Sequence, residues 1–168
     1  VTTQRHRQNL LTNKATKLIF LSKLSESIQV HYNPSLAHKS VVIPNFSSAN
    51  PYSRQQNRCK DAPFIYVGRL SEEKGVAELI QSWQYQQSLI IVGDGPLAKF
   101  CKQAASGRNV IFTGSLQAEK VQKLLSGAAA LVFPSTSPEN SPLVYSEAMA
   151  AGTPVIALSG NSVAYDVA

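Results

Sequence analysis

From Ala62 onward, short apolar runs alternate with segments of helical hydrophobic period, a pattern that fits few folds other than a parallel sheet covered by helices. Strands are expected at 63–67, 88–92, 109–112, 129–133 and 154–158. Between the first two, Val76, Leu79, Ile80 and Trp83 recur at the i, i+3, i+4, i+7 spacing of one helix face. Gly95-Pro96 is predicted to open the next helix, with Leu97, Phe100, Cys101 and Ala104 as its apolar stripe. A third helix is expected near 118–126 through Val121, Leu124 and Leu125, and a fourth from Pro142 to a left-handed stop at Gly152. Upstream, the pattern predicts a strand near 17–21, a helix from about Ser22 and a second strand from Val41 to Pro44. Residues 46–60 are polar and rich in Ser, Asn and Pro, so they read as a linker between a segment 1–45 and an α/β segment 61–168.

Charge follows the same division. Residues 1–60 carry nine Lys/Arg against the single acid Glu26, whereas residues 61–168 carry seven against nine acids. The basic end could face anionic lipid or an acidic acceptor, or it could be a solvated surface. Nucleic acid is not an expected partner, because aromatic residues are not interleaved with the basic ones. The longest apolar run, Gly127 to Phe133, is far below the ~20 residues that span a bilayer. Cys59 and Cys101 have neither metal-ligand nor redox-pair spacing, which fits a reducing cytoplasm. The chain starts at Val1 without a basic-then-apolar leader, so it is expected to be a fragment from which preceding residues have been removed.

In an open parallel sheet, ligands bind beyond the carboxyl ends of the strands. The loop after the first strand, Gly68-Arg69-Leu70-Ser71-Glu72-Glu73-Lys74-Gly75, brings a forked guanidinium and a mobile ammonium to a helix start, a combination suited to a diphosphate. Either cation by itself is equally a solvated surface charge. Gly93-Asp94-Gly95-Pro96 reads as turn chemistry, and the loop containing Gly114 either presents backbone groups to a base or only changes direction. After the fourth strand, Glu139 precedes a helix and Glu147 lies within it. Two carboxylates suit the vicinal hydroxyls of a sugar and a ribose, although each by itself could serve as a helix-start charge or a solvated acid.

The ordered set Val41-Ile43-Pro44-Asn45, Val67-Gly68-Arg69-Leu70 with Lys74-Gly75, Val92-Gly93-Asp94-Gly95-Pro96, Phe112-Thr113-Gly114, the Glu139–Glu147 pair with Glu147-Ala148-Met149-Ala150, and Gly152-Thr153-Pro154-Val155 resembles the retaining glycosyltransferases of family 4, which have the GT-B architecture of two facing Rossmann-like domains. The resemblance covers residues 17–165 and implies an α/β, Rossmann-like parallel sheet with flanking helices, the incomplete C-terminal donor-binding domain, preceded by the end of the N-terminal, acceptor-side domain. It implies that Arg69 and Lys74 bind the donor diphosphate, that Glu139 lies by the donor sugar, and that Glu147 holds the ribose. Gly114 and Leu116 are implied in the loop that receives the base, and Gly68, Asn140, Ser141, Leu143 and Val144 complete the implied donor contacts. Many members have Gly-Phe-Gly after the first glutamate, where this chain has Asn140-Ser141-Pro142. The segment Gly160-Asn161-Ser162-Val163-Ala164 also resembles a family feature, after which members continue with further strands and helices.

The implied activity is transfer of a sugar, with retention, from a UDP-, GDP- or ADP-sugar to a glycan or lipid-linked acceptor, as in polysaccharide or lipopolysaccharide synthesis, in the cytoplasm or at the inner membrane face. The three aspartates, Asp61, Asp94 and Asp166, form no Asp-x-Asp motif, so no metal and no cofactor is expected. Arg69, Lys74 and Glu139 are the expected catalytic residues, with Glu139 positioning the sugar rather than attacking it. Two other readings remain open: a nucleotide-sugar epimerase of the same architecture, and a non-catalytic donor-binding half that needs a partner chain.

Overall fold

The computed structural model describes residues 14–45, 59–137 and 139–159 together with Val163. Contacts divide the chain into two compact units, Val1–Asn45 and Phe46–Ala168, each with its own sheet. Most of the expected linker 46–60, and the segment 160–164 apart from Val163, lie outside the described residues.

In the first unit, β1 (Leu18–Phe20) and β2 (Ser40–Val42) pair in parallel, with Ile19 opposite Val41. They are joined by α1 (Lys23–Tyr32) and a 3-10 turn at Pro34–Lys39. Ser22 starts the helix where expected: its Oγ accepts from the Ser25 N–H at 3.2 Å, and its own N–H donates to Ser25 Oγ at 3.3 Å. Glu26, the single acid of this end, accepts from Ser40 Oγ at 2.5 Å and so ties the helix to β2. The second strand stops at Val42, short of the expected Pro44, although the Ile43 N–H still donates to the Phe20 carbonyl at 2.8 Å. Pro44 has no N–H with which to extend the ladder.

The second unit contains β3 (Phe64–Val67), α2 (Val76–Ser82), β4 (Leu89–Val92), α3 (Ala98–Ala104), β5 (Val110–Gly114), α4 (Ala118–Gly127), β6 (Ala130–Phe133), α5 (Leu143–Ala150) and β7 (Val155–Ala157). The five strands are parallel in the order β5-β4-β3-β6-β7. Side chains alternate across a strand, so each strand supplies both faces. Tyr66, Leu89 and Ile91 pack with Val76, Ile80, Trp83 and Cys101 of the α2–α3 layer, whereas Ile65, Val92 and Leu131 pack with Val121, Leu125, Ala148 and Ala151 of the α4–α5 layer. Continuous apolar runs such as Phe64-Ile65-Tyr66-Val67 result from this burial on both faces.

Two expectations need correction. Helix α3 begins at Ala98 rather than at Pro96, and Phe100 is exposed, leaving Cys101 as the helix's one fully buried residue. The cause lies in the preceding turn: the Ala98 N–H donates to the Gly95 carbonyl at 3.0 Å, closing a tight turn that the Leu97 N–H ties to the Leu70 carbonyl at 2.9 Å, and regular winding starts only after it. Strand β5 extends to Gly114 instead of ending at 112, because the Gly93 N–H reaches the Gly114 carbonyl at 2.9 Å past a register shift between Ile91 and Val92. Helix α5 does end at the expected Gly152, where the Thr153 N–H donates to Ala148 at 2.8 Å and the Gly152 N–H to Met149 at 3.0 Å. Thr153 Oγ1 then donates to the Leu125 carbonyl at 2.7 Å, fastening the end of α5 to α4.

Candidate functional site

Strand β3 opens the sheet, β4 and β5 extend it to one side, and the chain then crosses over to lay β6 and β7 on the other. The loops leaving β3 and β6 therefore diverge from neighbouring strands, the place where an open α/β sheet leaves a crevice. A cavity of about 430 Å³ lies there, lined by Tyr66–Arg69, Lys74, Phe133–Ser135, Glu139, Pro142–Val144 and Glu147.

Glycines 75 and 93 let the loops approach this closely. Gly75 has φ 64°, and a Cβ on it would lie 2.2 Å from the Pro134 carbonyl oxygen of the β6 loop. Gly93 has φ 133°, and a Cβ there would lie 1.9 Å from the Gly68 carbonyl oxygen. The Gly93-Asp94-Gly95-Pro96 segment is thus more than a turn, since it supports the loop after β3: the Leu70 N–H donates to the Asp94 carbonyl at 2.9 Å. Tyr66 adds a side-chain support. Its hydroxyl donates to the Arg69 carbonyl at 2.8 Å, and burial pushes its pKa up, which keeps the phenol protonated as a donor.

The loop after β6 is fastened to the same structure. The Glu73 carbonyl accepts from the Thr136 N–H at 3.1 Å and from Ser135 Oγ at 3.1 Å. Ser135 Oγ also lies 2.9 Å from Glu139 Oε1 and is almost fully buried. Lys74 Nζ forms an ion pair with that same Glu139 oxygen. Ser71 Oγ donates to the Glu73 carboxylate at 2.6 Å, and this bond, more than the nearby Arg69 and Lys74, holds the exposed acid below the usual carboxylate range.

Arg69 is exposed at the cavity wall, and among the described residues its guanidinium has no hydrogen-bond or ion-pair partner. Glu147 projects from α5 one turn beyond Leu143, in the direction of the cavity. Burial raises the pKa of Glu147 above the ordinary carboxylate value. At the start of α5, no side chain caps the helix at Pro142, so the first backbone N–H groups, those of Leu143 and Val144, precede any carbonyl they could use within the helix. The wall therefore combines one unpartnered cation, one paired cation, a helix start and a partly desolvated acid.

Of the residues singled out from sequence, Gly68, Arg69, Lys74, Glu139, Leu143, Val144 and Glu147 meet at this cavity, whereas Gly114, Leu116, Asn140 and Ser141 do not line it. Leu116 is half-buried against the Ile65–Leu131 core, and Gly114 turns the chain at φ 70°. Sequence reasoning missed Tyr66, Pro134, Ser135 and the carbonyl of Glu73. Ser135 could have been suspected from its place two residues after a strand end, while Tyr66 was hidden in an apolar run.

The fold is that of the GT-B glycosyltransferases: Anabaena HepE, solved in complex with UDP and glucose, superposes with a TM-score of 0.76 at 24% identity, covering 98% of this chain and 50% of that one. The family model described as "Glycosyl transferases group 1" matches residues 51–167, and the chain belongs to this family. It is 33% identical over 118 residues to the sulfoquinovosyl transferase SQD2 of Arabidopsis thaliana, covering 68% of this chain and 23% of that protein. It is 30% identical over 161 residues to a glycogen synthase of Mycobacterium tuberculosis, covering 89% of this chain and 39% of that protein. The chain thus spans less than half the length of these two relatives. Their names, a transferase and a synthase, do not favour the epimerase reading.

Proposed function

We propose that this chain is the donor-binding part of a retaining glycosyltransferase that moves a sugar from a nucleoside-diphosphate sugar to a glycan or lipid-linked acceptor. The observation that carries the reading is the convergence of Arg69, Lys74 and the start of α5 on one cavity that Glu147 also lines. Breaking the bond between the anomeric carbon and the diphosphate leaves negative charge on the departing oxygen while the sugar becomes oxocarbenium-like. Two cations and a helix start on one cavity wall favour that charge without requiring a metal. Glu147, acceptor-only when ionised, suits paired ribose hydroxyls, and Glu139 suits the hydroxyls of the sugar.

Calorimetry of the chain against UDP, GDP and ADP tests the site. One of these diphosphates is expected to bind at least about tenfold more tightly than its monophosphate, because the charge-assisted contacts act on the second phosphate. Failure of all three to bind overturns the reading. With a full-length protein carrying this chain, donor consumption should require an acceptor; free epimerised sugar would contradict transfer.

Glu147 supplies a second check with a defined sign. Burial raises its pKa in the folded state, so the native protein holds a proton that the unfolded chain has already lost, and this contribution to stability fades as pH rises from the ordinary carboxylate value through the raised one. Glu147→Gln removes a desolvated charge and is expected to raise the melting temperature slightly at neutral pH. It should weaken diphosphate binding by about tenfold, since hydrogen bonds to a charged acceptor are lost. In the unmodified chain, affinity should fall as pH drops through the raised pKa. Unchanged nucleotide affinity in the variant would remove Glu147 from the site.

A further inference from the structure

We propose that Glu139 stands in for the donor diphosphate as the counter-ion of Lys74 before a donor binds, and gives Lys74 up when the diphosphate arrives. The inference rests on the nucleotide-sugar reading of the cavity. Lys74 and Glu139 are 65 residues apart in sequence yet form an ion pair with side chains only 28% and 15% exposed. Both line the cavity, so the pair occupies the wall of the space it would serve. The carboxylate is held in place: Ser135 Oγ lies 2.9 Å from its paired oxygen and 3.1 Å from the carbonyl of Glu73, the residue before Lys74. One buried hydroxyl thus anchors the acid to the backbone that carries the base.

An ammonium this sheltered is costly without a negative neighbour, and Glu139 provides one while no ligand is bound. A diphosphate carries more charge than a carboxylate and competes for Lys74 favourably, but the work of parting the pair is subtracted from its affinity. The released carboxylate can only accept hydrogen bonds. An intact donor offers it the hydroxyls of the sugar to be transferred, which the spent nucleoside diphosphate has lost. The pair therefore makes the site hold the sugar-bearing donor in preference to the product, and Glu139 acts on the phosphates through Lys74 as a positioning residue.

Calorimetry with whichever of UDP, GDP or ADP the unmodified chain binds tests this through four variants: Glu139→Gln, Glu139→Asp, Lys74→Met, and Glu139→Gln combined with Lys74→Met. Glu139→Gln should bind the free diphosphate about fivefold more tightly, matching the loss of a single part-buried ion pair. Glu139→Asp keeps the charge but shortens its reach, so it should also tighten binding, and it serves if the Gln variant fails to fold. In the Lys74→Met background the tightening should vanish. Unchanged or weaker binding by both Glu139 variants overturns the proposal. Tightening that persists without Lys74 also overturns it, because the acid would then act by direct repulsion. If the unmodified chain binds none of the three nucleotides, the nucleotide reading of the cavity fails and the inference fails with it. Binding by the unmodified chain without the tightening sinks the inference alone.

Discussion

Replacing Arg69 with Ala in a full-length protein carrying this chain is expected to lower turnover by about a hundredfold or more, with little change in melting temperature. The size follows, on the proposed reading, from losing a positive group where leaving-group charge would develop. A unit-charge pair at 4 Å is worth about 4 kcal/mol at an effective dielectric of 20, before desolvation and screening. Arg69 should matter at least as much as Lys74, because Lys74 is already ion-paired with Glu139 while Arg69 has no hydrogen-bond or ion-pair partner among the described residues. Its exposure is the reason stability should hardly respond. Steady-state kinetics with the cognate donor, beside a thermal melt, make the measurement. Near-normal turnover would remove Arg69 from the chemistry, and a large fall in melting temperature would reassign it to structure.

The second large effect is expected at Gly93, far less conspicuous in sequence than the charged residues. Gly93→Ala places a Cβ 1.9 Å from the Gly68 carbonyl oxygen and 3.0 Å from its carbon, at a φ of 133° that a side chain rarely adopts. Backbone strain of about 1–3 kcal/mol and overpacking of similar size combine here, since the obstacle is backbone rather than a yielding side-chain tip. A loss of several kcal/mol is a large part of a domain's stability. Urea denaturation should show a clearly lower midpoint, and diphosphate binding should be lost because the Gly68–Arg69 backbone must move. Gly107 is the built-in comparison: its φ is 74° but nothing lies within 4 Å of an added Cβ, so Gly107→Ala should show only the ~1–2 kcal/mol conformational penalty. Equal midpoints for the two variants would show that the close approach to Gly68 is unimportant.

The layered α/β architecture was legible because a parallel sheet buried on both faces leaves runs such as Leu89-Ile90-Ile91-Val92, while its helices leave one-sided stripes such as Val76, Ile80 and Trp83. Helix ends with a local chemical cause were legible too, as at Ser22 and Gly152. Where a boundary depended on a distant loop, the reading failed. Pro96 did not open α3 because it lies in a tight turn that Leu97 ties to Leu70, and Phe100, placed on the buried stripe by its spacing, is exposed.

For the site, residue types and their nearness to strand ends were readable, since charge, glycine and helix-start chemistry are local properties. Which loops become neighbours was not, because strand order depends on pairing between segments far apart in sequence. Periodicity marks β3 and β6 as strands without saying that they lie side by side. That adjacency places Lys74 against Glu139 and Gly75 against Pro134. Sequence thus determined what each loop could offer a ligand. Only the folded sheet decided which offers share one space, because proximity there is produced by crossovers and backbone packing that leave no local pattern.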